Sequence, residues 1–556
     1  MKRLAARDFE DLLQCAMPPF ENLLPEPHNS RILNLLFDLA TWHAYAKLRL
    51  HTSDTLDLFD SATVSLGQTV RTFMKTMCEY YDTRELPQET AVHGHRTTAM
   101  AVKTGTSSSA GSSGPKRKFL NLQTYKFHAL GDYPNTIRQR GTTDNYTTQP
   151  GEFEHRRLKR RYPRTSKNHA TTMASMSKHE ARERVIDRIV KSLDKLACDD
   201  TEGSESGGEN RPRQKRERSS PSQHYHIAAS SRIPVDIPGW LSSLAGDRAT
   251  EDFVDRLKDH LLERILGVDY TGDPPSFSDA DRDNLIISHN MMYEHQMLRV
   301  NYTTYDLRRE QDTINPCTRA DIMLLSHETD DCRHPYWYTR VIKIFHVNVR
   351  YYDNNASSDG IKQMNVLFVR WFGRDNGRPG GSGFAARRLY RVGFISDDDP
   401  DAFGFLDPDV VIRGVHLIPA FSLGRTSEYL GPSFVRPDED LHEDWRYFDV
   451  NMFVDRDMFM RFRGGGIGHK VSREWDSFLQ SDCQTAGEEV SGTREEADTA
   501  QGAEEDNEMS GEEEDDDTDL DEDEGSSSEP DDDKSDDSDG EMVAGLDDNE
   551  NLCLSA

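Results

Sequence analysis

The sequence predicts an α+β multidomain protein. It combines an N-terminal helical bundle segment, a small, mostly antiparallel β module in the C-terminal half, and long disordered linkers with an acidic tail. Three observations lead there. Apolar residues recur at three- and four-residue steps from about 30 to 81, the period of an amphipathic helix. From about 295 to 425 the apolar runs become β-branched and aromatic, alternate in part, and have no long helical pattern between them. The remaining stretches are rich in Ser, Gly and charge, with too little apolar surface to offset the entropy of ordering.

Two runs carry the helical segment, 1–96. In "SRILNLLFDLATWHAYAKLRLHT", Ile32, Leu35, Leu36, Leu39, Trp42, Tyr45, Ala46 and Leu48 follow the helical period, and Asn29 or Ser30 offers an N-cap. From Thr55 to Tyr81 the pattern repeats with Leu58, Phe59, Val64, Leu66, Val70, Phe73 and Met77. The short "HTSD" between them predicts an antiparallel hairpin.

Residues 97–114, "TTAMAVKTGTSSSAGSSG", read as a disordered linker. A basic helical segment, 115–198, ends in a helix over Lys178–Ala197 with Val185, Ile189, Leu193 and Leu196 as its stripe. A second disordered linker spans 199–223. In the helical segment 224–294 the clearest helix is "DFVDRLKDHLLERILG". The β-rich module, 295–475, takes four or five strands from "YWYTRVIKIFHVNVRYY", "QMNVLFVRWFGR", "ARRLYRVGFI" and "VVIRGVHLIPAF", which suits a small antiparallel barrel or curled sheet. The disordered acidic tail fills 476–556.

Charge is divided unevenly. The chain carries a net charge of -32, but Gly487–Ala556 alone holds 31 acidic and 2 basic residues, so the body is nearly neutral. Seven scattered cysteines (Cys15, Cys78, Cys198, Cys317, Cys332, Cys483 and Cys553) without a CxxC pair predict reduced thiols in an intracellular protein. No stretch approaches the ~20 apolar residues of a membrane span, so no membrane partner is expected.

The sharpest local signal is "GEFEHRRLKRRYPRTSK", residues 151–167. Glu152 and Glu154 read either as metal-binding carboxylates or as ordinary charges of a solvated helix. Arg156, Arg157, Lys159, Arg160, Arg161, Arg164 and Lys167 form a basic strip suited to phosphate contacts, which confer affinity without sequence information. A basic solvated helix or a sorting signal is the plainer reading. "PKRK" (115–118) and "RPRQKRER" (211–218) read as nuclear localisation signals or nonspecific nucleic-acid arms. "FRGGGIGHK" lacks the spacing of a phosphate loop and reads as a glycine turn. The pairs "HGH" and "HYH" have no further ligands at metal spacing, so no metal site is assigned. Trp337, Tyr338, Trp371 and Phe372 read as core packing or, alternatively, as a recognition groove. The tail reads as a polyanion for histones or other basic proteins, or as a solubilising segment; Ser510 and Ser538 sit in acidic contexts that suit an acidophilic kinase.

Several phrases taken together resemble one family. "TWHAYAKLRLHT", "YKFHALGDYPNTIRQRGTTDNYTTQPGEFEHRRLKRRYPRTSK", "LRVNYTTYDLRREQDTINPCTRADIMLLSHE", "FGFLDPDVVIRGVHLIPAF" and "VNMFVDRDMFMRFRGGGIGHK" look like the C-terminal half of Plavaka-type transposases, CACTA-like elements of mushroom-forming fungi. The resemblance covers about 30 to 470. It implies an RNase H-like core in which two strand-borne acidic residues and a third carboxylate from a later helix hold two divalent ions. Glu154, or Glu152, would match the third. No β block precedes the helical segment to supply the other two. The expectation is therefore a non-catalytic, transposase-derived nuclear protein that binds DNA or chromatin nonspecifically and has no cofactor. One alternative is a metal-dependent DNA-cleaving half whose N-terminal part is missing from the gene model. Another is a histone-binding protein acting through its acidic tail.

Overall fold

In the computed structural model of the chain the described residues are 6–92, 94, 115–147, 158, 161–199, 224–228, 231, 233–267, 277–326, 334–352, 360–436 and 443–472. They belong to one compact unit, Met1–Ala486. The segments expected as disordered linkers (97–114 and all but the first residue of 199–223) and the acidic tail lie outside them. The α+β class holds, with helices in the N-terminal half and antiparallel sheet in the C-terminal half.

The expected hairpin is formed by helices His28–Ala46 and Ser53–Phe73. Thr52 opens the second: its hydroxyl accepts the Thr55 amide, and the Thr55 hydroxyl accepts the Thr52 amide at 2.8 Å. The pairing is antiparallel, because Asp38 meets Ser65 and Thr69, Trp42 Nε1 donates to Thr63 Oγ1 at 3.0 Å, and Tyr45 stacks on Phe59. The first helix begins at His28, ahead of both expected caps, Asn29 and Ser30. Pro27 occupies the cap position, and Asn29 instead accepts the Asn22 amide at 2.7 Å and donates to Glu26. The second ends in a π-turn, Met74–Cys78, short of Tyr81.

The strands are β1 (Tyr225–Ile227), β2 (Pro234–Asp236), β3 (Leu285–His295), β4 (Leu298–Thr303), β5 (Arg309–Ile314), β6 (Asp321–Leu325), β7 (Tyr336–Tyr351), β8 (Lys362–Arg374), β9 (Arg391–Phe394), β10 (Phe403–Leu406), β11 (Arg413–Gly414), β12 (Leu417–Pro419), β13 (Arg425–Thr426), β14 (Asp444–Trp445) and β15 (Phe448–Val450). The main sheet runs β11-β6-β7-β8-β9-β15-β12, with β3 beside β7, β2 beside β3, and β10 beside β8. Every pair is antiparallel. A second, three-stranded sheet runs β1-β4-β5, and β13 pairs with β14.

Strands β7 and β8 form the spine, in register from Tyr338↔Phe372 to Val349↔Lys362. Each passes through three apolar clusters. Tyr338 and Phe372 face the hairpin, Phe345, Val347, Met364, Val366 and Phe368 face the helix Phe253–Leu266, and Val341, Ile344, Leu367 and Val369 lie under the three-stranded sheet. The register shift between Val341 and Lys343 inserts a bulge that bends β7, which lets one ribbon serve faces that a flat pair could not reach. The helix Phe253–Leu266 matches its expected range; it presents Phe253, Leu257, Leu261 and Leu262 to the sheet and stops at Gly267, whose φ of +64° suits glycine.

Strand β3 was not expected, since its residues fall in the segment read as helical. His289 and Asn290 both adopt positive φ, 58° and 54°, at a register break between Ile287 and Met292, and this interrupts the alternation that marks a strand.

Hairpin and sheet share one core. Phe37 packs edge-on to Phe384 and Phe453, and Tyr45 packs edge-on to Phe459 at a ring separation of 5.0 Å. Truncating the fully buried Phe459 with Phe459→Ala is expected to cost about 3–5 kcal/mol in urea unfolding, with hairpin and sheet lost in a single transition. Two separate transitions would contradict the shared core.

Candidate nucleic-acid interface

The basic strip is described only in part. Glu152, Glu154, Arg156, Arg157, Lys159 and Arg160 lie outside the described residues, whereas Arg161, Arg164 and Lys167 lie within them. Tyr162–Arg164 forms a single 3-10 turn, set by Pro163, which fixes its own φ and cannot donate a hydrogen bond. Asn168 then opens the helix His169–Asp199; its side chain accepts the Ala170 amide at 3.0 Å and its carbonyl accepts Thr172 Oγ1 at 2.7 Å. That helix starts nine residues before the expected Lys178.

Arg161 departs from the expected phosphate contact. Its side chain is only 4% exposed and lies against the helix, donating to Glu183 through Nη2 (2.8 Å) and Nε (3.3 Å), with Nη1 3.4 Å from Glu180. The sequence shows seven cations in a row but not which one turns inward. The inward one is Arg161, because Glu180 and Glu183 stand one helical turn apart and present two carboxylates to a single fork. The clamp leaves its neighbours outward. Arg164 is 64% exposed and 3.8 Å from Glu183, Lys167 is exposed, and so are Leu158 and Tyr162.

A second charged constellation was not read from the sequence. Asp457, 3% exposed at the start of the helix Arg456–Arg463, accepts the Tyr305 amide (2.9 Å), Arg413 Nη1 (3.0 Å) and Arg461 Nε (2.8 Å), and lies 2.7 Å from His469 Nε2. Burial alone would raise its pKa, but the hydrogen bond to His469 and the charges of Arg461, His469 and Arg413 outweigh burial and hold the carboxyl well below the usual range. The "GGGIGHK" turn makes this possible. Gly464 and Gly465 take φ near +80°, and a Cβ on Gly468 would lie 1.8 Å from the Thr304 carbonyl, so only glycine brings His469 back to the carboxylate.

Asp457 and its neighbour Asp455 floor an open cleft of about 400 Å³ between the helix Ala6–Cys15 and the Thr304–Asp306 turn. The charges at its mouth neutralise one another: Lys47 pairs with Glu10 at 2.6 Å, Arg456 with Asp144 at 3.1 Å, and Arg49 with Asp144 at 3.3 Å and Glu310 at 3.6 Å. Burial, with Lys47 and Arg456 beside it, holds the His43 imidazole below its ordinary pKa despite Glu10. An electroneutral cleft of this kind favours no ligand class.

The aromatic candidates divide. Tyr338 and Phe372 are core, while Trp337 and Trp371 stay half-buried in an edge-to-face pair 6.0 Å apart. His93 and His95 of "HGH" lie outside the described residues, and in "HYH" His224 Nε2 bonds the Val411 carbonyl. His416, Asn451 and Cys15 gather, but Asn451 stands between the other two, at 3.1 Å from His416 Nδ1 and 3.9 Å from Cys15 Sγ. Burial, with Asp11 nearby, pushes the Cys15 thiol up, the opposite of an activated nucleophile. Cys15 and Cys78 are free, as expected, but Cys317 is disulfide-bonded. Scattered spacing concealed that pairing. Among the described residues no three His, Cys, Asp or Glu side chains gather as a metal site, and no helix is long and apolar enough to cross a membrane.

No protein-family model, curated protein or solved structure matches the chain.

Two outcomes are expected. Arg161→Ala should destabilise the turn 161–168 and the first half of its helix by about 1–3 kcal/mol, read as faster amide exchange there with the sheet unchanged. Asp457 has its pKa lowered on folding, so its stabilisation is complete above the unfolded carboxylate range and is lost as pH falls toward the folded value. Asp457→Asn should therefore be less stable at pH 7 and show a shallower loss of stability on acidification below about pH 4 in urea titrations. An acid limb as steep as the wild type's would assign that loss to other carboxylates.

Proposed function

We propose that the chain is a non-catalytic, transposase-derived protein that binds DNA or chromatin nonspecifically, in the nucleus, through the basic strip Arg156–Lys167. The observation that carries this reading is the Arg161 clamp. One cation of the strip is spent on fixing the segment to a long helix, while Arg164 and Lys167 remain outward and solvated. A strip whose only role was solubility gains nothing from a buried anchor. The anchor presents Arg164 and Lys167 as a small array at lower ordering cost when a polyanion binds. Phosphate contact is the chemistry such an array serves, with affinity set by charge neutralisation and not by base sequence.

Binding to two duplexes of unrelated sequence should be similar in fluorescence anisotropy, and the six strip cations should contribute about -5 to the log-log salt slope. Charge reversal at Arg156, Arg157, Arg160 and Arg164, with Arg161 left in place, should lower affinity at least tenfold and flatten that slope. Unchanged binding in that variant would rule the strip out.

A further inference from the structure

We infer that the DNA contact continues along the helix His169–Asp199, with Lys178, Arg182 and Arg188 as phosphate-binding residues on its outward face. The inference rests on the DNA-binding reading and names the second half of that surface.

Three observations converge on it. The helix has a packed side, because Met176 is buried and Glu180 and Glu183 grip Arg161. At about 100° per residue, Lys178 and Arg182 lie within about 40° of each other and Arg188 within about 80° on the other side, all turned away from Met176 and Glu183. All three are exposed, and none makes an ion pair among the described residues, whereas Arg184 on the flank is held by Glu180 at 2.6 Å. The helix therefore sorts its cations. Among its described cations, Arg184 beside Glu180 is paired, while Lys178, Arg182 and Arg188 on the outward face are exposed.

From Lys178 to Arg188 the helix rises about 15 Å. Duplex DNA presents about one phosphate charge per 1.7 Å of axis, so a helix laid along or across a groove meets enough phosphates to engage all three cations. Val185 and Ile189 share this face, exposed by 51% and 53%. They are compatible with a groove wall or with the covering of a partner helix. Self-pairing of the face would bring Lys178 and Arg182 against their own copies, a like-charge contact that disfavours a second chain as occupant.

The test compares full-length variants by salt-dependent anisotropy. Lys178→Ala, Arg182→Ala and Arg188→Ala together place a strong helix former at exposed sites, so the fold is retained and can be checked by circular dichroism. Each lost phosphate contact removes about 0.9 from the log-log salt slope, so the triple variant should be shallower by about 2.7. A control of equal charge, Arg309→Ala, Arg319→Ala and Lys362→Ala, alters exposed cations of the sheet region and should leave the slope unchanged. If the wild type shows no salt-sensitive binding, the DNA reading itself fails. If strip reversal weakens binding but the helix triple does not change the slope, only the helix inference is overturned. It is also overturned if Val185→Asp with Ile189→Asp abolishes a self-association seen by sedimentation while DNA affinity is unchanged, which would assign the face to a second copy.

Discussion

A carboxylate buried without partners is among the costliest groups a fold can contain, and Asp457 is buried at the meeting point of four separate pieces of chain. The Tyr305 amide comes from the turn after β4, Arg413 from β11, Arg461 from the same helix one turn on, and His469 from the glycine turn beyond it. Arg413 is in turn shared with Asp455 and Asp312, and its ring-stacking partner is Tyr302, 4.4 Å away. Removing any one contributor weakens the compensation of a buried charge, so the pieces stabilise one another's positions. The C-terminal helix, the three-stranded sheet and the floor of the cleft all take their positions from this one centre.

The same logic recurs where the hairpin meets the sheet. The segment "GRPGGSGFAARRLYR" sends Arg378 and Arg391 to Glu21 and Asp449, Arg388 to Asn34, and Arg387 to Asp38. Arg463 donates to the buried Tyr45 hydroxyl. Apolar packing between Phe37, Phe59, Phe384, Phe453 and Phe459 supplies the non-directional part of the interface, and the arginines supply its register. A hairpin that slid by one turn would keep much of its apolar contact but would leave several guanidiniums facing the wrong acceptors.

Elements whose information is local were legible in the sequence. The helices around Trp42, Phe59 and Leu257 carry a clear 3.6 period, and β7 and β8 carry long runs of Val, Ile, Phe and Tyr. Strand β9 falls in "ARRLYRVGFI", and β11 and β12 fall in "VVIRGVHLIPAF", both stretches with strand composition, whereas the three-residue β15 exists only through its pairing with β9 and β12, so no local pattern announces it. Strand β3 was hidden by the bulge at His289 and Asn290. The candidate site followed the same division. The density of charge at 156–167 is a local property, but the inward turn of Arg161 depends on carboxylates some twenty residues later, and Asp457 depends on residues at 305, 413 and 469.

The bond between Tyr45 and Arg463 joins residues 418 apart in the chain. At a synthesis rate of about 5–20 residues per second, the ribosome needs roughly 20 to 80 s to deliver the second after the first. For that interval Phe37, Tyr45 and Phe459 have no common core, and the hairpin helices emerge with an uncovered apolar face. Slow closure of such distant contacts is the regime of high contact order, in which folding waits on loop closure. The hairpin's cover therefore arrives in stages, with Phe384 and the arginines of 378–391 first and Phe453, Phe459 and Arg463 last, so the N-terminal helices reach their full core only when the end of the body has been made.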